Sequence, residues 1–193
     1  NLKGAQINAI EVSPHEPGVA YIAVAGYKMN DFEPYIYKLT DFGKRWMRLD
    51  SDLPDDNFVR VVRADPEREG LLYAGSEGGL FVSFDDGDHW QSLNMNFPTV
   101  PITDLRVRQN TLIAATQGRG FWALDELTVI RQLNVNLSEK RLHVFKPKPS
   151  SLMRWGGRTA ANEGKNPPSG VVFSYFLAEE FEGPLSIDIR DTD

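Results

Sequence analysis

The stretch Ser83-Phe84-Asp85-Asp86-Gly87-Asp88-His89-Trp90 decides the architecture of this chain. It reads S-x-D-x-G-x-x-W between two apolar runs, residues 80–84 and 90–93. An aspartate at Asp85 can accept hydrogen bonds from the N–H groups of its own turn. Gly87 supplies a left-handed conformation at no steric cost. Trp90 is expected to fold back over the hairpin and seal the edge with its large apolar area. Ser83, Asp85, Gly87 and Trp90 therefore read as a structural staple, complete within its own hairpin, that needs no substrate.

The core of this box recurs on both sides. Forty-four residues upstream, Asp41-Phe42-Gly43-Lys44-Arg45-Trp46 keeps D-x-G-x-x-W. Forty residues downstream, residues 118–133 align without a gap on 78–93, setting Phe121 on Phe81, Asp125 on Asp85 and Ile130 on Trp90. A period of 40 to 44 residues with four short strand patterns per unit signals propeller blades. The first unit reads as strands at 7–12, 19–25 and 35–39, then its box. The second reads as strands at 58–63, 71–75, 80–84 and 89–93. The third reads as 102–107, 112–116, 121–124 and a weaker fourth strand at 129–133. Turn chemistry such as Pro14-His15-Glu16-Pro17-Gly18 separates them.

After Leu133 the period stops. Residues 142–145 give one more strand-like run, and Pro147, Pro149, Pro167 and Pro168 mark 137–169 as a linker. Residues 170–177 and 185–190 alternate as two strands around Gly183-Pro184, too few to stand alone. The expected fold is all-β: blades over 1–136, three of six to eight, then the linker, then the incomplete start of a β-sandwich at 170–193.

Composition excludes several functions. With 21 basic and 27 acidic residues, a net charge of −6 and no basic cluster, the surface suits neither nucleic acid nor an anionic membrane. No run approaches the roughly 20 apolar residues of a membrane helix. The absence of cysteine excludes disulfides and thiolate sites. His15, His89 and His143 lack ligand spacing, so no metal is expected. Gly118-Arg119-Gly120 is no phosphate loop, and no Ser or Thr sits in a nucleophile elbow, so no cofactor is expected either. The start at Asn1-Leu2-Lys3-Gly4, without Met or a signal h-region, reads as a mature, processed or truncated end. Three units cannot close a ring. The remaining blades are expected from the parent chain, a second chain or a symmetric copy, and sedimentation of the isolated chain tests this.

The connections between second and third strands, and between blades, are expected opposite the boxes. Lys28, Asn30, Asp31 and Glu33, then Asp55, Asp56 and Asn57, then Glu77, Gln117 and Arg119 would crowd that mouth. Glycoside hydrolysis wants two carboxylates about 5 to 10 Å apart. Asp31 and Glu77 are the weak candidates, and no catalytic residue is assigned. Arg119, between two glycines, could offer its guanidinium to a carboxylate or sugar, or pair with a neighbouring blade. Trp155, flanked by Arg154 and Arg158, reads as a sugar platform or as a linker aromatic packed on the propeller. Asn136-Leu137-Ser138 is a glycosylation sequon.

The box, the run Thr116-Gln117-Gly118-Arg119-Gly120-Phe121-Trp122-Ala123-Leu124-Asp125-Glu126-Leu127, the segment Val144-Phe145-Lys146-Pro147-Lys148-Pro149 and the motif Asn166-Pro167-Pro168-Ser169-Gly170-Val171 together resemble one family. It is the sortilin-like, Asp-box (BNR-repeat) propellers of the bacterial glycosyl-hydrolase-like type. The resemblance implies a propeller end, a linker and the opening of an immunoglobulin-like domain, in an extracellular or periplasmic protein. Sortilin's cysteine-rich module has no counterpart here. Sialidases, xyloglucan-cleaving enzymes, sortilins and assembly factors share the Asp-box, so it speaks for fold rather than activity. No residue here must be catalytic for the sequence to make sense, which favours a non-catalytic binding or scaffold portion with a glycan or protein at the mouth. The alternatives are a glycoside hydrolase fragment whose site is shared with absent blades, and a structural interaction protein resembling the photosystem assembly factors.

Overall fold

The computed structural model describes residues 4–150, 170–178, 183, 186–188 and 190. The Trp155 segment, residues 166–169 of the tail motif, and Pro184, Leu185 and Ile189 lie outside the described residues. Two compact units divide the chain at Arg131 and Gln132.

The first unit is built from antiparallel meanders. β1 (Gln6–Val12), β2 (Ala20–Ala25), β3 (Tyr35–Thr40) and β4 (Arg45–Arg48) form one four-stranded sheet. β5 (Val59–Ala64), β6 (Leu72–Ser76), β7 (Gly79–Ser83) and β8 (Gln91–Ser92) form the second. β9 (Ile102–Arg108), β10 (Thr111–Thr116) and β11 (Phe121–Leu124) form a third of three strands. Strand order follows chain order in every sheet, so each is an up-and-down blade.

Stacking of these sheets makes the core. Tyr21, Ala23, Ile36, Leu49 and Leu53 of the first blade meet Val59, Val62, Leu72, Ala74, Phe81 and Trp90 of the second. Val61, Tyr73, Leu80 and Val82, on the second blade's other face, meet Ile102, Leu105, Leu112 and Ala114 of the third. A sheet covered on both faces must be apolar at consecutive positions, as Leu71-Leu72-Tyr73-Ala74 is. The chain is thus all-β, with three consecutive blades of a β-propeller. The far face of the first blade carries Ile7, Ile10 and Val12, exposed at 53, 59 and 69%. By strand register these match Val59, Val62 and Ala64, which lie buried under the first blade.

The third blade departs from the sequence expectation. Residues 129–133 are not a strand. Helix α1 (Leu127–Gln132) takes up most of them and buries Leu127 and Ile130 in the second core. Its position is fixed by charge: Arg131 Nε lies 3.0 Å from both carboxylate oxygens of fully buried Asp65. Arg131 also donates to the Gln109 carbonyl at 2.9 Å, while Arg68 donates to the Ile130 carbonyl at 2.9 Å, capping the helix end. A strand could not bring Leu127, Ile130 and Arg131 inward together, because its side chains alternate.

The gapless alignment of the third unit is also corrected by one residue. Trp122, not Phe121, sits opposite Ala114 as Phe81 sits opposite Ala74. The loop after β10 carries one residue more than the loop after β6, and this shifts everything downstream. The backbone confirms the shift. Phe42, Asp86 and Leu127 donate their N–H groups to the carbonyls of Gly18, Gly70 and Asn110 at 3.0, 2.8 and 3.1 Å. Glu126, not Asp125, therefore holds the place of Asp85, and its Oε1 accepts the Thr128 N–H at 3.2 Å.

In the second unit, β12 (Leu142–Val144) pairs antiparallel with β13 (Tyr175–Leu177). The expected pairing of 170–177 with 185–190 is not seen: among the described residues of the latter segment none is in a strand. The linker's strand-like run supplies the partner instead, with Leu142 opposite Leu177.

Candidate functional site

The box closes a turn but also does more. Ser83 Oγ donates to Asp85 Oδ1 at 2.9 Å and accepts the Gly87 N–H at 2.8 Å. Asp85 Oδ1 accepts the His89 N–H at 2.9 Å, and Oδ2 lies 2.7 Å from His89 Nδ1. This much is local, as expected. Trp90 is not confined to its hairpin. Its indole N–H donates to the Leu49 carbonyl at 2.6 Å, and its backbone N–H donates to Asp52 at 3.2 Å. Ser51 donates to the Asp88 carbonyl at 3.0 Å. The connection leaving the first blade thus runs past the second blade's box, and the box is a clasp between blades. Box one differs: Trp46 turns its N–H onto the Gly43 carbonyl at 2.9 Å and stays 54% exposed.

The His89–Asp85 contact sets a pH window. Hydrogen bonds from His89 and Ser83 to the carboxylate outweigh its desolvation and hold Asp85 below the usual range. The hydrogen bond to Asp85 raises His89. A depressed acid adds stability that is lost as pH falls through its folded pKa. A raised histidine adds stability that is lost as pH rises through its folded pKa. The hairpin is therefore expected to be tightest between those two values. A proton-NMR titration of His89 should show an inflection above that of a free histidine, returning to normal in Asp85→Asn.

A cavity of about 350 Å³ opens beside the box, lined by His15, Glu16, Tyr21, Lys38, Arg68, Glu69 and Asp86 among others. Its polar groups serve one another. Asp86, in left-handed backbone at φ 64°, takes Tyr21 on one oxygen and Lys38 on the other. His15 Nε2 lies 2.7 Å from the Asp65 carbonyl, and Arg68 is committed to α1. These contacts tie blade to blade.

The opposite end is built differently. The connection from β2 to β3 turns tightly over Tyr27–Met29, with Asn30 in left-handed backbone at φ 60°. That places Tyr27 flat on Phe58, ring centroids 5.0 Å apart, with Phe32 at 6.4 Å from the same ring. Phe58 is buried at 4% exposure, while Tyr27 and Phe32 stand at 37 and 45%. The Arg60 guanidinium lies 5.0 Å from the Phe58 centroid and pairs with Glu77 at 2.7 Å. Glu77 is held over this stack because its N–H donates to the Phe58 carbonyl at 3.1 Å. Lys28 Nζ donates to Gln6 at 2.9 Å. Asp31 accepts the Tyr35 hydroxyl at 2.9 Å and the Glu33 N–H at 3.2 Å. Asn57 lies alongside, its side chain accepting the Gly78 N–H.

Lys28, Asn30, Asp31 and Glu77 thus stand on neighbouring loops of the first two blades. Gln117 and Arg119 belong to the third blade's loop, where Arg119 donates its N–H to Thr116 at 3.2 Å and takes the Trp122 indole N–H on its carbonyl at 3.1 Å. Asp31 and Glu77 each have a fixed partner, Tyr35 and Arg60. Sequence reading missed the aromatic members, Tyr27, Phe32 and Phe58. The available signal was two aromatic residues in an exposed connection with three polar side chains, Gly26-Tyr27-Lys28-Met29-Asn30-Asp31-Phe32. No group of three or more metal-ligating side chains exists among the described residues.

No protein-family model and no curated protein matches the chain. Solved structures do. An ancestral GH74 enzyme is 21% identical at a TM-score of 0.48, over 59% of this chain and 14% of that one. The GH74 xyloglucanase from Xanthomonas campestris is 20% identical at 0.49, over 64% and 21%. YCF48 bound to a D1 peptide is 18% identical at 0.44, over 63% and 36%. The chain spans well under half the length of each. Its blade architecture rests on the strand order and packing described above. No helix among the described residues is long and apolar enough to cross a membrane.

Proposed function

We propose that this chain is the non-catalytic, ligand-binding portion of an extracellular or periplasmic Asp-box propeller, and that its mouth takes a glycan. The supporting observation is the Tyr27–Phe58–Phe32 stack. Two half-exposed rings rest on a buried third, with Arg60, Glu77, Lys28 and Asp31 around them. A sugar presents an apolar C–H face and a rim of hydroxyls. Aromatic faces take the first, and fixed charged groups take the second. Asp31 and Glu77 each have a fixed partner, Tyr35 at 2.9 Å and Arg60 at 2.7 Å, and serve here as hydrogen-bonding groups on the rim. Further blades, in the parent chain or another, would cover the far face of the first blade, as the first covers the second. The immunoglobulin-like reading of 170–193 stays with the family resemblance.

Affinity electrophoresis through gels containing soluble polysaccharides tests the reading. Retardation by at least one polysaccharide is expected, weakened about tenfold, or roughly 1.4 kcal/mol, in Tyr27→Ala. Phe32→Ala should act in the same direction, and Trp46→Ala should leave retardation unchanged. No retardation by neutral or acidic polysaccharides would overturn the glycan. Release of reducing sugar that is abolished in Glu77→Gln would replace binding with hydrolysis.

A further inference from the structure

We propose that the third blade is a docking site for an extended strand of a partner polypeptide carrying an aromatic side chain, added antiparallel along β11. This site lies between the second and third blades and is independent of the glycan reading.

In the first two blades the third strand is covered by a fourth: β4 pairs with β3, and β8 with β7. In the third blade β11 pairs with β10 on one side and with no other strand among the described residues. The chain that would have returned as a fourth strand instead turns inward as α1, drawn by Leu127, Ile130 and the Asp65–Arg131 pair. An uncovered strand edge presents unpaired N–H and C=O groups, the template for strand addition.

A side-chain socket accompanies the edge. In the second blade the fourth strand is anchored by Trp90, which shares one core cluster with Ile36, Leu49, Leu53, Leu72, Ala74 and Phe81. Strand register and the repeated bond from the residue after the fourth strand to the third (Leu49 N–H to Ile36 and Leu93 N–H to Leu80) identify their counterparts. These are Leu80, Leu93, Phe97, Leu112, Ala114 and Trp122. All six line one apolar cleft. The residue at Trp90's own place, by the corrected register, is Arg131, and it points to Asp65 instead. The cleft is the counterpart of the Trp90 socket with no tryptophan at its centre, walled by Phe97 and Trp122, rings 5.1 Å apart, where the second blade's socket has Leu53 and Phe81. Met95, the counterpart of Ser51 in the clasp around Trp90, is 74% exposed beside it.

The occupant follows from this chemistry. It is an extended segment, because it must pair with β11. It carries an aromatic residue at its start, because the socket is built from the same six positions that hold an indole. Its next side chains are polar and outward, as Gln91 and Ser92 are in β8.

The probe is a synthetic peptide copying Asp88-His89-Trp90-Gln91-Ser92-Leu93-Asn94, with a second peptide in which the tryptophan is alanine. Hydrogen exchange of the full 193-residue chain is read at those amides of residues 121–124 that alternate with the ones donating to β10 and face the open edge. Fast exchange is expected in the free chain, slowing by about tenfold or more with saturating tryptophan peptide. The alanine peptide should give no slowing. Equal effects from both peptides, or none from either, would overturn the proposal. So would slow exchange in the free chain. If it persists on dilution the chain already covers this edge itself, and if it vanishes on dilution a second copy does.

Discussion

Asp65→Ala should cost the blade array about 3–5 kcal/mol, the range for removing one partner of a buried ion pair. Asp65 is fully buried, and Arg131 opposite it keeps only 9% of its side chain exposed. Removing the carboxylate leaves the buried guanidinium only the exposed Glu67 carboxylate, at 2.8 Å, and also orphans the Tyr73 hydroxyl, which donates to Asp65 at 3.2 Å. It frees two backbone N–H groups besides, those of Glu67 and Arg68 at 2.9 and 3.0 Å. Arg131→Met should cost less, because Asp65 keeps those three donors. The double substitution should cost less than the sum of the two, since both remove the same buried ion pair. Urea titrations of the four proteins measure this through midpoints at unchanged slope. Asp65→Ala within 1 kcal/mol of wild type would show that α1 is held by its apolar residues alone. In that case the helix owes its place to Leu127 and Ile130.

The blades were legible because they rest on local signals. Alternating or doubly apolar strands, Gly18 and Gly70 at turn ends, and the box at Ser83–Trp90 each act within one hairpin. What escaped reading is what acts across hairpins. Residues 129–133 carry enough β-branched character to pass as a strand, and only Asp65, 66 residues away, explains why Arg131 turns inward on a helix. The one-residue offset of the third unit arises in an exposed glycine loop, where no side chain penalises an insertion. Trp90 gave the right residue for the wrong surface: its spacing announces a buried aromatic but not that the burying carbonyl belongs to Leu49. At the mouth the charged residues drew attention because they are chemically versatile. Tyr27 and Phe32, ordinary core types by composition, become a platform only once Phe58 is seen beneath them.

Trp90→Ala should cost about 3–5 kcal/mol, the usual penalty for emptying a large aromatic site in a core that cannot collapse. The side chain is 5% exposed and shares its cluster with residues of both blades, so the cavity would open at their junction. The lost indole N–H also leaves the Leu49 carbonyl without that donor. Trp46→Ala provides the internal comparison. It removes the same residue from the same motif, but one that is 54% exposed on a face that no other blade among the described residues covers, so its cost should be well under half. Gly87→Ala tests the clasp from the other side. At φ 95° a Cβ is strained, and it would meet Leu49 at 2.8 Å, pushing away the segment that holds Trp90. That substitution should destabilise by more than 1 kcal/mol, beyond what backbone conformation alone costs. It should not add fully to Trp90→Ala, because both loosen the one contact between Leu49 and the box. Melting curves of the three single variants and the Gly87–Trp90 double variant decide the matter. Full additivity, or equal losses from Trp46 and Trp90, would place the box back inside its own hairpin.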